Sequence, residues 1–352
     1  MKAIVMHAFG PPDVLRYEDV ADPEPRHGEV RIAVHAATVN RVLDVSVRAG
    51  NEPQRNARLP LIPGVDCAGI VNAVGPGVTR IRVGDRVAAA GTMPLEPCAE
   101  DSAGYDGPRG MMGIKRPGGF AEMVVVPACA CDALPANLGF HDAAVVLRHC
   151  PTAWNLLCNE AKVKPGEWVL IMGAGGNLGS IGIQLAKNVI GARVIATAGS
   201  DKRVASALAL GADHAINYRT HDLFGAIMKI TAGKGIDVIY DNIANPEVLP
   251  RAFHALGHDG RLVTAGAHGG PNVTIDFFHL YDRRITIRGM PGHRTADIPR
   301  CFEAVSAGKI KVQIAMVLPL SQAAEAHRLT EADPGLGKIV LDPTLGSEAT
   351  AQ

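Results

Sequence analysis

Two rhythms of apolar and polar residues divide this chain. Up to about residue 125, short β-rich runs (KAIVM, EVRIAVHAATV, GIVNAV, DRVAAA, AEMVVVP) alternate with proline and glycine. That pattern predicts an irregular, mostly antiparallel β domain. From Trp168 onward the apolar runs alternate with helical stretches: VLIM, LGSIGIQLAKNVI, RVIATA, DKRVASALALG, HAINY, LFGAIMKI, IDVIYD, PEVLPRAFHALG and RLVTAG. Strand and helix in turn predict a parallel sheet covered on both faces. Between the halves, HDAAVVLRHCPTAWNLLCNEA reads as a connecting helix. After RITIRGM, two amphipathic helices (DIPRCFEAVSAGKI, SQAAEAHRLT) and a final strand (GKIVLDP) return most simply to the first domain. The expected limits are 1–128 with 295–352 for the β domain and 129–294 for the α/β domain, with residues 91–119 as one long irregular loop.

Composition narrows the role. A length of 352 residues favours two domains, each burying its own core. Lys+Arg and Asp+Glu both total 35, so no net charge draws the chain to nucleic acid or an anionic membrane. No run approaches the roughly 20 apolar residues of a membrane span, and the opening MKAIVMHAFGPPDVL lacks a secretory core. A cytoplasmic protein acting on a small molecule is expected. Seven cysteines without framework spacing read as free thiols, most of them small buried hydrophobes.

The segment WVLIMGAGGNLG carries the chemistry. A strand breaks into glycines and resumes as a helix, as a dinucleotide pyrophosphate requires: Gly173 for the tight turn, Gly176 for backbone approach, Gly179 for close packing of helix on strand. Asn177 and Leu178 open the helix, with amide N–H groups aimed at the anion. NAD or NADP is the expected cofactor. Dinucleotide sites selective for NAD place an acid about 20 residues on, to hold the adenosine ribose. Here that place is Ala198, followed by Ser200, Lys202 and Arg203, a hydroxyl and two cations suited to a ribose phosphate. Asp201 pulls the other way, since it could turn toward the ribose. The balance favours NADP.

Several ordered motifs across the chain (MKAIV with GEVRIAVHAATVN, LPLIPGVDCAGIV, VGDRV, GAGGNLG, GADHAINY, GKIVL) resemble the medium-chain dehydrogenase/reductase superfamily. The resemblance implies a GroES-like β domain plus a Rossmann domain, with the active site in the cleft between them. It adds cofactor contacts at Asn40, Thr152, Tyr218, Asn242, Gly266, Ala267 and Lys338, and a homodimer joined through RITIRGM. The zinc-bearing branch of that superfamily has donors where this chain aligns Arg41, Val65 and Arg148. Catalytic zinc needs three N, S or O donors, which an arginine or a valine does not supply. No metal is therefore expected, unless shifted ligands such as Asp44, Asp66, His149 or Cys150 serve. The structural-zinc loop offers only Cys98, and Cys129 and Cys131 read as strand-edge thiols.

A zinc-free hydride transfer needs donors for a developing oxyanion. Candidate catalytic residues are Arg148, Asp44, Ser46 and His149, with Cys150 as a further polar group nearby. Ser46 stands where zinc-free relatives often have a tyrosine. Arg148 either polarises a substrate or pairs with Asp44 or Asp66. The leading expectation is an NADPH-dependent, zinc-independent reductase of quinones, enones or similar activated alkenes and carbonyls. The alternatives are a zinc-free or unusually liganded alcohol/carbonyl dehydrogenase, and a non-catalytic NADPH-binding protein.

Overall fold

The computed structural model describes residues 1–51, 55–96, 107–290, 292, 294–332 and 337–346. The chain packs as two compact units, residues 1–148 with 312–352, and 149–311. In the first unit the strands are β1 (Lys2–Met6), β2 (Leu15–Asp19), β3 (Glu29–Thr38), β4 (Asp66–Val74), β5 (Arg86–Ala90), β6 (Thr92–Pro94), β7 (Arg109–Met111), β8 (Met123–Pro127) and β9 (Cys131–Ala133). Every pairing among them is antiparallel. In β3, Val30, Ile32, Val34 and Ala36 are buried while Arg31, Ala33 and His35 are half-exposed, the period of two that makes one face of a strand the core face. Against them pack Met6, Val71, Phe120 and Val124. The segment 91–119 is not one irregular loop, because Thr92–Pro94 and Arg109–Met111 pair as a short ribbon.

A helix, Phe140–Trp154, leads out of this unit despite Pro151 within it, and continues in wider turns over Asn155–Glu160. The second unit contains β10 (Trp168–Ile171), β11 (Arg193–Ala198), β12 (His214–Asn217), β13 (Ile236–Asp241), β14 (Leu256–Thr264) and β15 (Thr286–Gly289). They form one parallel sheet in the order β12-β11-β10-β13-β14-β15. This is the doubly wound order, third-second-first-fourth-fifth-sixth, which opens a crevice beyond the carboxyl ends of the first and fourth strands. The first two strands read as continuous apolar runs because helices cover both faces. Helices follow at Asn177–Gln184, Asp201–Ala209, Leu223–Ile230 and Leu249–Phe253, and a further one, Phe277–Asp282, precedes β15. All four residues of β15, the edge strand, are exposed.

The chain returns to the first unit as β16 (Ile314–Pro319), the helix Ala323–Ala332 and β17 (Lys338–Asp342). β17 pairs antiparallel with the far end of β3, Val340 opposite Thr38. The packing limits fall at 148/149 and 311/312, later than the 128/129 and 294/295 of the sequence reading. The contacts give the reason. β9 pairs with β5, and His141 bonds to Asp342 at 2.7 Å, which keeps residues 131–148 with the β unit. Gln184 exchanges two hydrogen bonds with the Lys311 backbone and Asn159 donates to Asp297, which holds 297–311 to the α/β unit. No helix among the described residues is long and apolar enough to cross a membrane.

Candidate functional site

The glycine turn sits at the carboxyl end of β10. Gly173 has φ +73°, a left-handed conformation that favours glycine. A Cβ there would come within 2.3 Å of Asn242 Oδ1, and one at Gly179 within 2.2 Å of the Gly173 carbonyl oxygen. At Gly176, the residue before the helix Asn177–Gln184, a Cβ would meet nothing closer than 3.6 Å. So two glycines let the protein pack on itself, and the third leaves the helix mouth open to a ligand. Asn177 and Leu178 form the helix's first turn, whose N–H groups and dipole favour an anion. Gly266 belongs to the same place: a Cβ there would lie 2.5 Å from the Asn242 carbonyl oxygen. Asp241, at the end of β13, holds this corner by accepting from the Ile243 and Ala244 N–H groups and from Thr264. Ala267 is exposed beyond it, and its carbonyl accepts from Gly270.

At the end of β11 the predicted cofactor residues gather around Gly199. A side chain at 199 would run into the Tyr218 hydroxyl at 2.7 Å and Arg219 Nε at 3.3 Å, while the Arg203 chain lies against Gly175. Ser200 precedes the helix Asp201–Ala209 without using its side chain as a cap. Asp201 is engaged: Asn217 Nδ2 donates to it at 2.7 Å, and Asn217 Oδ1 accepts from the Arg219 N–H at 3.1 Å. Lys202 is exposed. Arg219 was missed by the sequence reading, although it directly follows the tyrosine that was singled out.

The second assembly lies in the first unit, where sheet register carries distant residues together. β3 and β4 pair with Ala36 opposite Ala68, so the end of β3 runs beside the start of β4. There Asp66 accepts from the Thr38 N–H at 2.7 Å, the Thr38 hydroxyl at 2.6 Å and Asn40 Nδ2 at 2.9 Å. β17 then brings in Lys338, whose ammonium donates to Asn40 Oδ1 and to the Val39 carbonyl at 3.5 Å. Asp44 accepts from the backbone N–H of Asn40 at 2.8 Å and of Gly64 at 3.2 Å. All five side chains are almost wholly buried.

Burial and the nearby Asp66 push Asp44 up to about 7. Burial likewise raises Asp66, against the pull of Thr38 and Lys338. Lys338 is driven down to about 8 by burial, resisted by Asp66 and Asp44. Burial also lowers Arg148, whose charge Asp66 and Asp44 support. Two carboxylates thus face two cations, and the group offsets its own charge.

The remaining candidates have surroundings of their own. Ser46 donates to the Arg41 carbonyl at 3.3 Å, and Arg41 is exposed, capping the carbonyls of Thr330 and Glu331. Val65 is buried in a small apolar cluster with Leu43, Val47 and Ile114. His149 and Thr152 are half-buried on the helix Phe140–Trp154, in the second unit's share of it. Cys150 is buried there against Cys301, and Cys131 is buried with its thiol pushed up by burial. Cys98 lies outside the described residues. Among the described residues no three of His, Cys, Asp and Glu stand close enough to hold a metal ion.

Comparison with known proteins agrees with this geometry. Residues 26–136 match the alcohol dehydrogenase GroES-like domain family, and residues 177–307 the zinc-binding dehydrogenase family. The chain is 32% identical to a 2-haloacrylate reductase of a Burkholderia species, covering 97% of this chain and 98% of that protein. It is also 32% identical to a quinone oxidoreductase of Sus scrofa, covering 97% of each. Among solved structures, an NAD-dependent alcohol dehydrogenase superposes with a TM-score of 0.85 at 36% identity, over 98% of this chain and 100% of that one. A mycobacterial protein complexed with NADPH superposes at 0.75 and 28% identity, over 97% and 100%. The turn at the carboxyl end of β10, the two units and the full-length matches give one answer: the chain belongs to the quinone oxidoreductase-like branch of the medium-chain dehydrogenase/reductase superfamily and is an NAD(P)H-dependent oxidoreductase.

Proposed function

We propose that the chain is an NADPH-dependent, zinc-independent reductase of quinones, enones or similar activated alkenes and carbonyls. The observation that carries this reading is Arg148. At the position where zinc-bearing relatives have a ligand stands a guanidinium supported by Asp44 and Asp66, a group that donates hydrogen bonds and binds no metal. Bound NADPH supplies the hydride. In the reduction of an enone charge would develop on the substrate oxygen, and a donor such as Arg148 would stabilise it. A simple ketone asks for stronger polarisation, which favours metal assistance. Asp44 acts in this reading as a clamp between the start of the helical turn Arg41–Val45 and Gly64, since its oxygens accept the backbone N–H groups of Asn40 and Gly64.

Support for NADPH over NADH comes from the second unit. Arg203 lies against Gly175, Tyr218 and Arg219 lie against Gly199, and the nearby acid Asp201 is bound by Asn217, an arrangement suited to a ribose phosphate. The 2-haloacrylate reductase and quinone oxidoreductase relatives act on conjugated substrates, in keeping with the same reading. The NAD-dependent alcohol dehydrogenase neighbour favours the second reading, a zinc-free alcohol/carbonyl dehydrogenase. A cytoplasmic homodimer completes the proposal, paired through the exposed edge strand β15, since an open edge invites a second copy.

The test is oxidation of NADPH by a quinone, an enone and a simple ketone after dialysis against a chelator, with metal content measured alongside. Turnover of the first two without metal is expected, and Arg148→Ala lowers kcat about a hundredfold while NADPH affinity stays the same, the usual range for one lost oxyanion donor. One zinc per chain that is required for activity refutes the zinc-free reading. Unchanged kinetics in Arg148→Ala remove that residue from the mechanism.

A further inference from the structure

Just after β13 the chain holds two unfavourable features within four residues. Ala244 has φ +55°, in the left-handed region where a Cβ is crowded by its own backbone. Asp241 is fully buried, and it is met by neutral donors rather than a cation. Its Oδ1 accepts the Ile243 N–H at 3.2 Å, while its Oδ2 accepts the Ala244 N–H at 3.0 Å and the Thr264 hydroxyl at 3.0 Å. The two features belong together. The carboxylate gathers the N–H groups two and three residues on, and Ala244 stays left-handed with its N–H so held. Such strain persists only where the surroundings over-determine it, and it gathers at ligand clamps.

What the turn positions is Asn242. Its Oδ1 lies 2.3 Å from where a Cβ at Gly173 would stand, and its carbonyl oxygen 2.5 Å from a Cβ at Gly266. One residue is thus seated between two glycines, one after β10 and one after β14, each bare where Asn242 needs room. Asp241 ties the same strand ends together. Its carboxylate takes the hydroxyl of Thr264, the last residue of β14, and its carbonyl accepts the Ala265 N–H at 3.3 Å. The Gly269 N–H closes the corner on the Ile243 carbonyl at 2.6 Å.

We propose, on the cofactor reading given above, that Asp241 is a positioning residue for the nicotinamide half of the cofactor. By holding Ala244 left-handed it keeps Asn242 seated between Gly173 and Gly266, at the edge of the crevice. In a doubly wound sheet each half takes one mononucleotide. The residues suited to the adenosine ribose gather after β11, in the first half, which leaves the corner of β13 and β14 to the other. The role is the same for NADPH and NADH, which share that half.

Fluorescence titration of the full chain with NADPH and with NADH tests this. Asp241→Asn keeps the shape of the side chain but turns one acceptor into a donor, against N–H groups that need acceptors. NADPH affinity is expected to fall about tenfold, the size of one lost hydrogen bond to a charged group. Adenosine 2′,5′-bisphosphate, which carries the adenosine half alone, binds parent and variant alike. Adding Ala244→Gly to Asp241→Asn restores most of the lost affinity, because glycine keeps the left-handed turn without the carboxylate. Should Asp241→Asn fail to fold by circular dichroism, Thr264→Val takes one donor from Oδ2 and lowers NADPH affinity about threefold. Equal NADPH affinity in parent and variant, an equal loss of the adenosine fragment, or no recovery in the double variant overturns the role of Asp241. A parent chain that binds NADH but not NADPH overturns the NADPH reading and leaves this one standing, with the same comparison made on NADH and AMP. A parent chain that binds neither overturns both.

Discussion

The glycine turn of the second unit and the polar cluster of the first both sit at strand ends, yet they are built by opposite means. The turn is made by what is missing: seven consecutive positions in which side-chain atoms at 173 and 179 would collide with fixed neighbours. The cluster is made by what is present: Thr38, Asn40, Asp44, Asp66, Arg148 and Lys338, gathered from across 300 positions by strand register. A site of the first kind fails when an atom is added. One of the second kind fails when a partner is taken away.

The largest expected effect follows from that difference. Asp66→Ala takes the acceptor from the Thr38 N–H and leaves the Lys338 charge less offset in a buried place. Removing one partner of a buried charge pair costs about 3–5 kcal/mol. Denaturant unfolding should register that loss, with Asp66→Asn losing less because it still accepts hydrogen bonds. Equal stability of Asp66→Ala and the parent chain contradicts the cluster as described. The turn answers to the reverse experiment. Gly179→Val brings a side chain onto the Gly173 carbonyl, and NADPH binding measured by fluorescence should weaken at least a hundredfold, equivalent to about 2.7 kcal/mol. Binding within threefold of the parent contradicts the packing role of Gly179.

The same difference explains what could be read from the sequence. The strand, turn and helix at 168–190 were legible because everything the turn needs is local, and strand-helix alternation gave the parallel sheet. The cluster was legible only in pieces. Asn40, Asp44 and Lys338 stood out singly, and Asp66 only as a possible Arg148 partner or shifted ligand, because the pairing of β3 with β4 and β17 leaves no mark in residue spacing. Thr38 was missed altogether, an ordinary residue at the end of a strand. The short pairing of β6 with β7 was read as loop because three-residue strands show no period. The later packing limits arise from individual bonds, such as Gln184 with Lys311, that no periodicity encodes.

Acidity sharpens the comparison, since the cluster titrates and the turn does not. Asp44, raised to about 7, favours the folded chain when protonated. Its contribution is complete below an ordinary carboxylate value of about 4 and is lost as pH rises through 7. Lys338, lowered to about 8, works in a higher window and loses its contribution as pH falls through that value. Between pH 5 and 7 the parent chain should therefore lose on the order of 1–2 kcal/mol of stability relative to Asp44→Asn. Parallel stability curves for the two proteins place the Asp44 titration elsewhere.

The smallest effect tests the one part of the turn that depends on side chains. Around Gly199 stand Tyr218 and Arg219, and Asn217 links the two levers by holding both the Asp201 carboxylate and the Arg219 N–H. If a 2′-phosphate is the intended guest, Arg219→Ala removes a charged donor to it and nothing from NADH. The ratio of kcat/KM for NADPH over NADH should fall about tenfold, close to 1.4 kcal/mol, through KM rather than kcat. Asn217→Ala should shift the ratio the same way, because it frees Asp201 to turn toward the ribose hydroxyls that NADH presents. A ratio unchanged in both variants, and also in Arg203→Ala, means that the cations at this corner are only surface, and that the absence of an acid at Ala198 does not by itself select NADP.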